Sequence, residues 1–267
     1  VRHVVLAAMG DMLGFWKGRL VNFVVRNVKK MVPAFSLPGT AKVVTFKQAL
    51  ELGRSAKYTR PTMKPADVAF LQYTGGTTGK PKGVIGTVRA MTTMTQIQLS
   101  EWEWPTRPRF LMCTPLSHAG AAFFLPTLMK GGSMVVLSKF DPAEVLRTIE
   151  EEKISATMLV PSMLYALMDH PDSRTRDLSS LETVYYGASP INPVRLAEAI
   201  ERFGPIFAQY YGQSEAPMVI SYLAKDEHPK PGDDPRRLSS CGRPSSFLHT
   251  ALLGPDDKPV AQGEPGE

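Results

Sequence analysis

Short apolar runs alternate with stretches of helical periodicity through the middle of the chain. The apolar runs predict strands over residues 68–73, 109–113, 134–137, 156–160 and 183–186. The stretches between them predict helices over residues 90–102, 121–129, 143–152, 162–168 and 194–203. Asp141 and Pro142 are typical of the N-cap and first position of a helix. Because such alternation is typical of crossover units, we expect an α/β fold with a largely parallel sheet and crossover helices.

The pattern changes after Met218. Short strand-like runs are separated there by turns rich in Pro, Gly and Asp, such as residues 229–235. This change predicts the start of a β-rich, barrel-like subdomain. We therefore expect three parts: a basic connecting or amphipathic segment over residues 1–60, an α/β core over residues 61–217, and the start of a β-rich subdomain over residues 218–267.

Positive charge is concentrated at the beginning of the chain. The sequence has 31 Lys and Arg against 25 Asp and Glu, and residues 1–35 alone hold six basic residues and one acidic residue. Because the charge is so local, no nucleic-acid partner is expected. Residues 15–26 mix aromatic, aliphatic and cationic side chains, as helices at a membrane surface do. The alternative is a connecting helix whose cations face water, since its apolar positions spread around the helix.

The expected location is the cytoplasm. Cys113 and Cys241 show neither metal-ligand spacing nor a disulfide framework, which is typical of a reducing compartment. No secretory signal and no apolar run long enough to cross a bilayer is visible in the sequence. Peripheral contact with a membrane through residues 15–30 stays open.

The most informative motif is YTGGTTGKPKG at residues 73–83, directly after an apolar run. Glycines let the backbone approach a ligand closely, and free amides, hydroxyls and lysines suit the oxygens of a polyphosphate. The motif is not a Walker loop, because only three residues separate Gly75 from Gly79 and Pro81 stands where the Mg²⁺-binding Ser or Thr should be. It therefore predicts a different kind of phosphate loop.

Residues 73–83 resemble the signature of the adenylate-forming (AMP-binding) superfamily, in the form common among long-chain fatty acyl-CoA ligases. Three further blocks resemble motifs of the same superfamily. QYYGQSE at residues 209–215 is similar to its Y-G-x-T-E motif, with Ser214 in place of Thr; YGASP at residues 186–190 resembles its adenine loop; PLSHAG at residues 115–120 resembles its segment beside the acyl pocket. The resemblance covers most of the chain and implies an acyl-CoA synthetase.

The resemblance also implies roles for individual residues. Lys82, Glu215 and His118 are the implied catalytic residues, and Glu215 is the implied ligand of Mg²⁺, for which a carboxylate oxygen is well suited. Tyr211 is implied to stack on adenine, and Ser214 to contact the α-phosphate. The implied nucleotide-binding residues are Thr74, Gly75, Gly76, Thr77, Thr78, Gly79, Lys82, Gly187, Ala188, Ser189, Tyr211, Gly212 and Ser214. The implied substrates and cofactors are ATP, Mg²⁺, coenzyme A and a carboxylic acid, with a fatty acid favoured.

Several alternatives stay open. His118 alone could be a capping or packing residue, and residues 186–190 alone could be an ordinary strand-to-helix turn. GEPGE at residues 263–267 resembles the opening of a family motif cut in the middle, so we expect a central fragment of the large N-terminal domain, incomplete for catalysis. The preferred function is an AMP-forming carboxylate–CoA ligase, and the alternative is a non-catalytic nucleotide-binding or interaction fragment. The acyl chain length, and a carrier-protein thiol in place of coenzyme A, also remain open.

Overall fold

The computed structural model describes residues 3–37, 39–74, 82–116, 119–230 and 233–267. The chain divides into two compact units, residues 1–62 and residues 63–267, and each is described by itself. The predicted divisions after residues 60 and 217 stay predictions. None of the helices formed by the described residues is long and apolar enough to span a membrane.

The first unit contains two parallel strands joined by a helical crossover. Its elements are β1 (His3–Leu6), α1 (Phe15–Phe23), a π-helical turn (Val24–Val28), β2 (Lys42–Thr45) and α2 (Phe46–Ser55). β1 and β2 pair in parallel, and α2 follows β2 directly. Helix α2 starts with a capping box, in which the side chains of Thr45 and Gln48 each accept a hydrogen bond from the backbone of the other. The sequence predicted the helix at residues 15–26, but neither the two strands nor α2.

The second unit is an open seven-stranded sheet with a separate hairpin. Its strands are β3 (Val68–Thr74), β4 (Lys82–Thr87), β5 (Arg109–Met112), β6 (Ser133–Val136), β7 (Ala156–Leu159), β8 (Thr183–Gly187), β9 (Phe207–Tyr211), β10 (Ser221–Leu223) and β11 (Arg243–Pro244). Its helices are α3 (Val88–Glu101), α4 (Phe124–Met129), α5 (Pro142–Glu151), α6 (Pro161–Asp169) and α7 (Pro193–Phe203). The sheet order is β11-β10-β9-β8-β7-β5-β6, and β5 to β9 are parallel. This confirms the predicted α/β fold with a largely parallel sheet and crossover helices.

One predicted strand lies outside that sheet. Strand β3 pairs antiparallel with β4, and the two form a hairpin of their own. The prediction that residues 68–73 begin the series of parallel crossover units was therefore wrong. Residues 82–87 form a strand themselves, and consecutive strands joined by a short connection pair antiparallel, because a parallel pair needs a longer crossover.

The strands that follow β9 extend the same sheet. β10 pairs antiparallel with β9, and β11 pairs antiparallel with β10. They confirm the prediction of short strands after Met218. Both strands belong to the sheet of the α/β core, and their pairing does not test the barrel-like subdomain predicted over residues 218–267. That subdomain stays a prediction.

Residues 121–129 do not form one continuous α-helix as predicted. Residues Ala119–Phe123 form a 3-10 turn, and α4 begins only at Phe124. Pro126 explains the late start, because proline has no N–H to donate and its ring clashes with the carbonyl four residues earlier. A proline is tolerated in the first turn of a helix, which is where the observed start of α4 places it.

Successive residues of the parallel strands alternate between two hydrophobic clusters, one on each face of the sheet. The aliphatic cluster, against α5, α6 and α7, consists of Leu111, Cys113, Val145, Leu146, Ile149, Ile154, Leu159, Leu164, Leu167, Met168, Val184, Tyr186, Leu196, Ala199, Phe207 and Leu238. The aromatic cluster, against α3, consists of Met94, Ile97, Trp102, Phe110, Met112, Phe123, Ala156, Met158, Tyr185, Ala208, Tyr210, Met218, Val219 and Tyr222. The core therefore has two compositions, aliphatic on one face and aromatic on the other.

Candidate nucleotide-binding site

The candidate site residues that follow β8 and β9 meet at one edge of the sheet. β5 lies between β6 and β7, so the order in which the chain adds strands to the sheet changes direction at β5, while the strands themselves stay parallel. The parallel strands have their carboxyl ends at the same edge, and ligands of open α/β sheets bind outside those ends. The blocks at residues 186–190 and 209–215 terminate β8 and β9, which are neighbours in the sheet. The fold thus brings two blocks together that lie apart in the sequence.

Two features mark the start of the loop after β8: a close contact between two backbones and a left-handed residue. Gly187, the last residue of β8, lies opposite Tyr210, and a Cβ at Gly187 would lie 2.3 Å from the Tyr210 carbonyl oxygen. Only glycine fits so close an approach of two backbones. Ala188 follows with φ 66°, a left-handed conformation that costs a non-glycine residue roughly 1–2 kcal/mol. Ala188 and Ser189 are both exposed at the sheet edge.

The loop after β9 is held at both ends. The Ile220 N–H donates a hydrogen bond to the Tyr211 carbonyl oxygen at 3.0 Å, which closes the base of the loop. Gly212 lies inside the turn, where a Cβ would lie 2.1 Å from the backbone nitrogen of Met218. Met218 has φ 65° and is buried in the aromatic cluster. The loop is therefore fixed by packing at its far end and by the strand at its near end.

Three side chains of this loop have the chemistry that a nucleotide needs. Tyr211 is 39% exposed, and its hydroxyl accepts a hydrogen bond from Gln213 Nε2 at 3.0 Å. Ser214 is half-buried and Glu215 is exposed. An exposed aromatic face can stack on a base, a hydroxyl can donate to a phosphate, and a carboxylate is a hard oxygen ligand. The candidate residues that the structure brings to this edge are Gly187, Ala188, Ser189, Tyr211, Gly212, Ser214 and Glu215.

The donor set around Glu215 suits Mg²⁺ better than a metal held by the protein alone. Within the part of the chain that the structure describes, no three His, Cys, Asp or Glu side chains group as metal ligands. Mg²⁺ is usually held by one or two carboxylates together with substrate phosphates and water, whereas Ca²⁺ takes six to eight oxygen ligands. A single exposed carboxylate beside a candidate phosphate site fits the first pattern.

The centre of the predicted phosphate loop falls outside the described residues. The candidate residues there are Gly75, Gly76, Thr77, Thr78 and Gly79, and the candidate residue His118 of the block at residues 115–120 also falls outside the described residues. The two residues that flank the loop are described: Thr74 and Lys82 lie opposite each other on β3 and β4, and Thr74 Oγ1 lies 3.5 Å from the Lys82 carbonyl oxygen. Lys82 is exposed. The hairpin therefore holds the two ends of the loop side by side.

An aromatic stack lies beneath the two motif loops, and no pattern in the sequence predicted it. Trp102, directly after α3, is only 4% exposed, and its ring stacks on Tyr210 and Tyr222 with centroid separations of 5.4 and 5.5 Å. Tyr210 and Tyr222 are register partners on β9 and β10. Among the described residues, neither the Trp102 indole N–H nor the Tyr210 hydroxyl has a hydrogen-bond partner. The available sequence signal was the tryptophan pair in EWEW at residues 101–104.

Glu103 connects this stack to the turn after β10. Its Oε2 accepts hydrogen bonds from the Lys225 N–H at 2.7 Å and from the Tyr222 hydroxyl at 3.3 Å. Its carbonyl oxygen accepts from the Tyr185 hydroxyl at 2.9 Å. Glu103 thus joins the segment after α3 to β10 and the turn after it through its half-buried carboxylate, and to β8 through its carbonyl oxygen.

His228 is buried on the other side of the sheet. Its Nδ1 lies 2.8 Å from the Ala224 carbonyl oxygen, and its Nε2 lies 2.9 Å from the Tyr186 hydroxyl. A carbonyl oxygen can only accept, so Nδ1 carries the proton and Nε2 accepts from Tyr186. Burial lowers the pKa of His228 below its ordinary value, and the imidazole is therefore neutral near pH 7.

The open sheet, its separate hairpin and the two motif loops at the carboxyl edge define a candidate nucleotide-binding α/β domain. The family of AMP-binding enzymes matches residues 22–267, and the chain belongs to that family.

Three similar proteins illustrate the relationship. The medium/long-chain-fatty-acid–CoA ligase FadD8 of Mycobacterium tuberculosis is 75% identical over 205 residues, which are 77% of this chain and 35% of that protein. A long-chain-fatty-acid–CoA ligase of Escherichia coli O157:H7 is 30% identical over 273 residues, covering 100% of this chain and 47% of that protein. The structure of the amide bond synthetase McbA from Marinactinospora thermotolerans superposes with a TM-score of 0.73 and 28% identity, covering 98% of this chain and 60% of that one. The chain spans less than half the length of the two ligases.

Proposed function

We propose that this chain is the nucleotide-binding part of an AMP-forming carboxylate–CoA ligase that acts on a fatty acid with ATP, Mg²⁺ and coenzyme A. The observation that carries the proposal is the meeting of two motif loops at the carboxyl ends of β8 and β9, with Tyr211 and Glu215 exposed there. The two relatives named as fatty-acid–CoA ligases support the same reaction class. They do not favour the alternative of a non-catalytic nucleotide-binding or interaction fragment.

Each candidate residue has a role in this proposal. Tyr211 stacks on adenine beside the backbone of residues 187–189, Ser214 donates to the α-phosphate, and Glu215 holds Mg²⁺, which neutralises phosphate charge when bound. Lys82 and the loop of residues 74–79 contact the outer phosphates. The role proposed for His118 is contact with the acyl group.

The proposed reaction has two half-reactions. A carboxylate oxygen of the fatty acid attacks the α-phosphorus of ATP, pyrophosphate leaves, and an acyl-adenylate forms. The thiol of coenzyme A then loses its proton to water, its sulfur attacks the acyl carbon to form the thioester, and the bond to the phosphate oxygen breaks so that AMP leaves. The protein forms no covalent bond in the first step, so its contribution is in-line positioning of the reactants and stabilisation of spreading negative charge.

Calorimetric titration of this chain with ATP·Mg²⁺ tests the nucleotide site. We expect Glu215→Ala to weaken binding about tenfold or more, because a hydrogen bond or ligand bond to a charged group contributes on the order of 1.5–3 kcal/mol. Glu201→Ala is the matched control, since Glu201 is an exposed glutamate on α7. Lys82→Ala should also weaken binding, and its matched control is Lys42→Ala, since Lys42 is an exposed lysine on β2. A folded wild-type chain without ATP affinity would contradict the proposal.

A second titration separates the ligase from the non-catalytic alternative. Acyl-sulfamoyl adenosines carry an alkyl chain on a stable mimic of the acyl-adenylate, and they report an acyl pocket without requiring turnover. A ligase should bind the medium- and long-chain compounds more tightly than unsubstituted sulfamoyl adenosine. Equal affinity for all of them would favour a nucleotide-binding fragment, and the order among chain lengths would indicate the acyl specificity.

We also propose that the first unit makes peripheral contact with a membrane from the cytoplasmic side, through residues 15–30. The exposed large apolar residues of α1 are Phe15, Trp16, Leu20 and Phe23, with Trp16 at 82% exposure. Trp16, Leu20 and Phe23 lie on the side of the helix opposite Gly18, its one buried residue, and Phe15 is exposed at the start of the helix. Arg19 is exposed and sits over the Phe15 ring at 5.5 Å, and Arg26 is exposed in the π-helical turn that follows. Apolar and cationic groups together suit an anionic lipid surface.

Co-sedimentation with vesicles tests this contact. We expect the chain to bind vesicles that contain phosphatidylglycerol more strongly than pure phosphatidylcholine vesicles, with binding reduced by salt. Trp16→Ser combined with Leu20→Ser should abolish it. Tyr58→Ser is the control, because Tyr58 is equally exposed at 80% but lies outside α1. Equal binding by the control and the double variant would argue for the connecting-helix alternative.

A further inference from the structure

We propose that Trp102 is a positioning residue for the candidate nucleotide site, acting through Tyr210 on both motif loops. The proposal rests on the proposed nucleotide function. Trp102 itself lies in the core, is 4% exposed, and belongs to none of the blocks that resemble family motifs. Its influence on the site follows from two contacts.

The first contact is the stack between Trp102 and Tyr210. Their ring centroids are 5.4 Å apart with an interplanar angle of 24°, and Trp102 also stacks on Tyr222 at 5.5 Å and 10°. Tyr210 and Tyr222 are opposite each other on β9 and β10. One buried ring therefore packs against two adjacent strands, and its contact on β9 is the residue immediately before Tyr211.

The second contact joins Tyr210 to the other motif loop. A Cβ at Gly187 would lie 3.0 and 3.1 Å from Cε2 and Cζ of the Tyr210 ring, so the backbone of Gly187 rests directly on that ring. Any displacement of Tyr210 is thus transmitted to Gly187. The residues that follow, Ala188 and Tyr211, are the ones exposed at the candidate site.

The backbone of the two loops makes this support necessary. Ala188 and Met218 both adopt left-handed conformations that non-glycine residues rarely hold without surrounding packing. Met218 is a member of the aromatic cluster that contains Trp102, and Gly187 packs on Tyr210 of the same cluster. The packing around Trp102 therefore holds one end of each loop in the conformation that presents its nucleotide-facing residues.

Removal of the indole ring should alter the site specifically. We expect Trp102→Ala to reduce ATP·Mg²⁺ affinity about tenfold, because small displacements of positioning groups have effects of that order or larger. Trp102→Phe keeps an aromatic face on Tyr210 and should stay within about threefold of the wild type. Leu146→Ala is the matched control, since Leu146 is equally buried but belongs to the aliphatic cluster on the opposite face. All affinities are measured at a temperature where each variant is folded.

Hydrogen exchange of backbone amides provides a second measurement that needs no ligand. Trp102→Ala should accelerate exchange at residues 187–190 and 209–218, whereas Leu146→Ala should leave those segments unchanged at matched global stability. Equal acceleration by both variants, or none by Trp102→Ala, would overturn the positioning role. If the wild type binds no ATP, the proposed function fails, and the exchange pattern still decides whether Trp102 positions the loops. If Trp102→Ala does not fold, the exchange pattern of Trp102→Phe is compared instead, with intermediate acceleration at the same segments expected and an unchanged pattern contradicting the role.

Discussion

Replacement of Gly187 by alanine should destabilise the second unit and weaken the candidate site together. The new methyl group would lie 2.3 Å from the Tyr210 carbonyl oxygen and 3.0 Å from the edge of its ring. The carbonyl belongs to a paired strand and cannot rotate away, so β8 and β9 must separate locally. Overpacking of this kind typically costs 1–3 kcal/mol, and we expect about 3 kcal/mol because the contact is to backbone.

Gly131→Ala tests the other reason for which a position can require glycine, a left-handed backbone conformation. Gly131 has φ 68° and no atom within 4 Å of the position of a Cβ, so its replacement introduces backbone strain without a clash. The expected cost is about 1 kcal/mol. Gly187 has no such backbone requirement, and the comparison therefore separates steric exclusion from conformational strain.

Thermal and urea unfolding measure both costs. For a unit of this size, each 1 kcal/mol lowers the Tm by about 2–4 °C, so Gly187→Ala should lose roughly 6–12 °C and Gly131→Ala roughly 2–4 °C. Only Gly187→Ala should also reduce affinity for ATP·Mg²⁺ in conditions where both variants are folded. A Gly187→Ala variant as stable as the wild type would refute the described approach of β8 to Tyr210.

Two further predictions concern groups near the aromatic stack. Tyr210→Phe removes a buried hydroxyl without a described partner, so it should leave the free energy of unfolding unchanged or raise it by up to about 1 kcal/mol. Tyr185→Phe loses the hydrogen bond to the Glu103 carbonyl oxygen, so it should lower the free energy of unfolding by about 1 kcal/mol. Urea unfolding measures both changes. A destabilised Tyr210→Phe would contradict a Tyr210 hydroxyl without a hydrogen-bond partner. Because the pKa of His228 is lowered in the folded chain, the unfolded chain takes up a proton at a higher pH than the folded chain does. The free energy of unfolding therefore decreases as the pH falls below about 6.5, by up to about 1.4 kcal/mol per pH unit. His228→Gln should flatten the urea-unfolding free energy between pH 7 and 5, whereas replacement of the exposed His249 should not; an equal slope for both would contradict the buried neutral imidazole.

Local signals in the sequence were sufficient for most of the second unit. Asp141 accepts from the Glu144 N–H at 3.1 Å and Pro142 takes the first position of α5, as their residue types indicate. The strands β5 to β8 were all predicted because each is a short apolar run followed by a helical stretch, whereas β9 was not predicted. Turn and capping chemistry acts within a few residues, and sequence therefore reports it directly.

Strand pairing is not local, and the predictions failed where it decided the structure. The run at residues 68–73 is a strand as predicted, but its partner is formed by residues 82–87, whose glycines and lysine had suggested only the tail of a loop. The strands β1 and β2 of the first unit are four residues each and separated by more than thirty residues, so neither gives a pattern that reveals the other. The roles of the candidate site residues stay predictions for a different reason: they depend on ligands.

The motif residues and the residues that support them are inseparable because they alternate on the same strand. Tyr210 points into the aromatic cluster and Tyr211 is exposed at the candidate site. A register slip of one residue would exchange the two, burying the proposed adenine platform and exposing a core ring. The register of β9 is set by Gly187 on one side and Tyr222 on the other, each opposite Tyr210. Tyr222 and Trp102, which lie outside the motif-like blocks, pack on Tyr210 and so help to keep Tyr211 exposed at the candidate site. Resemblance therefore identifies Tyr211, while only the structure identifies Trp102.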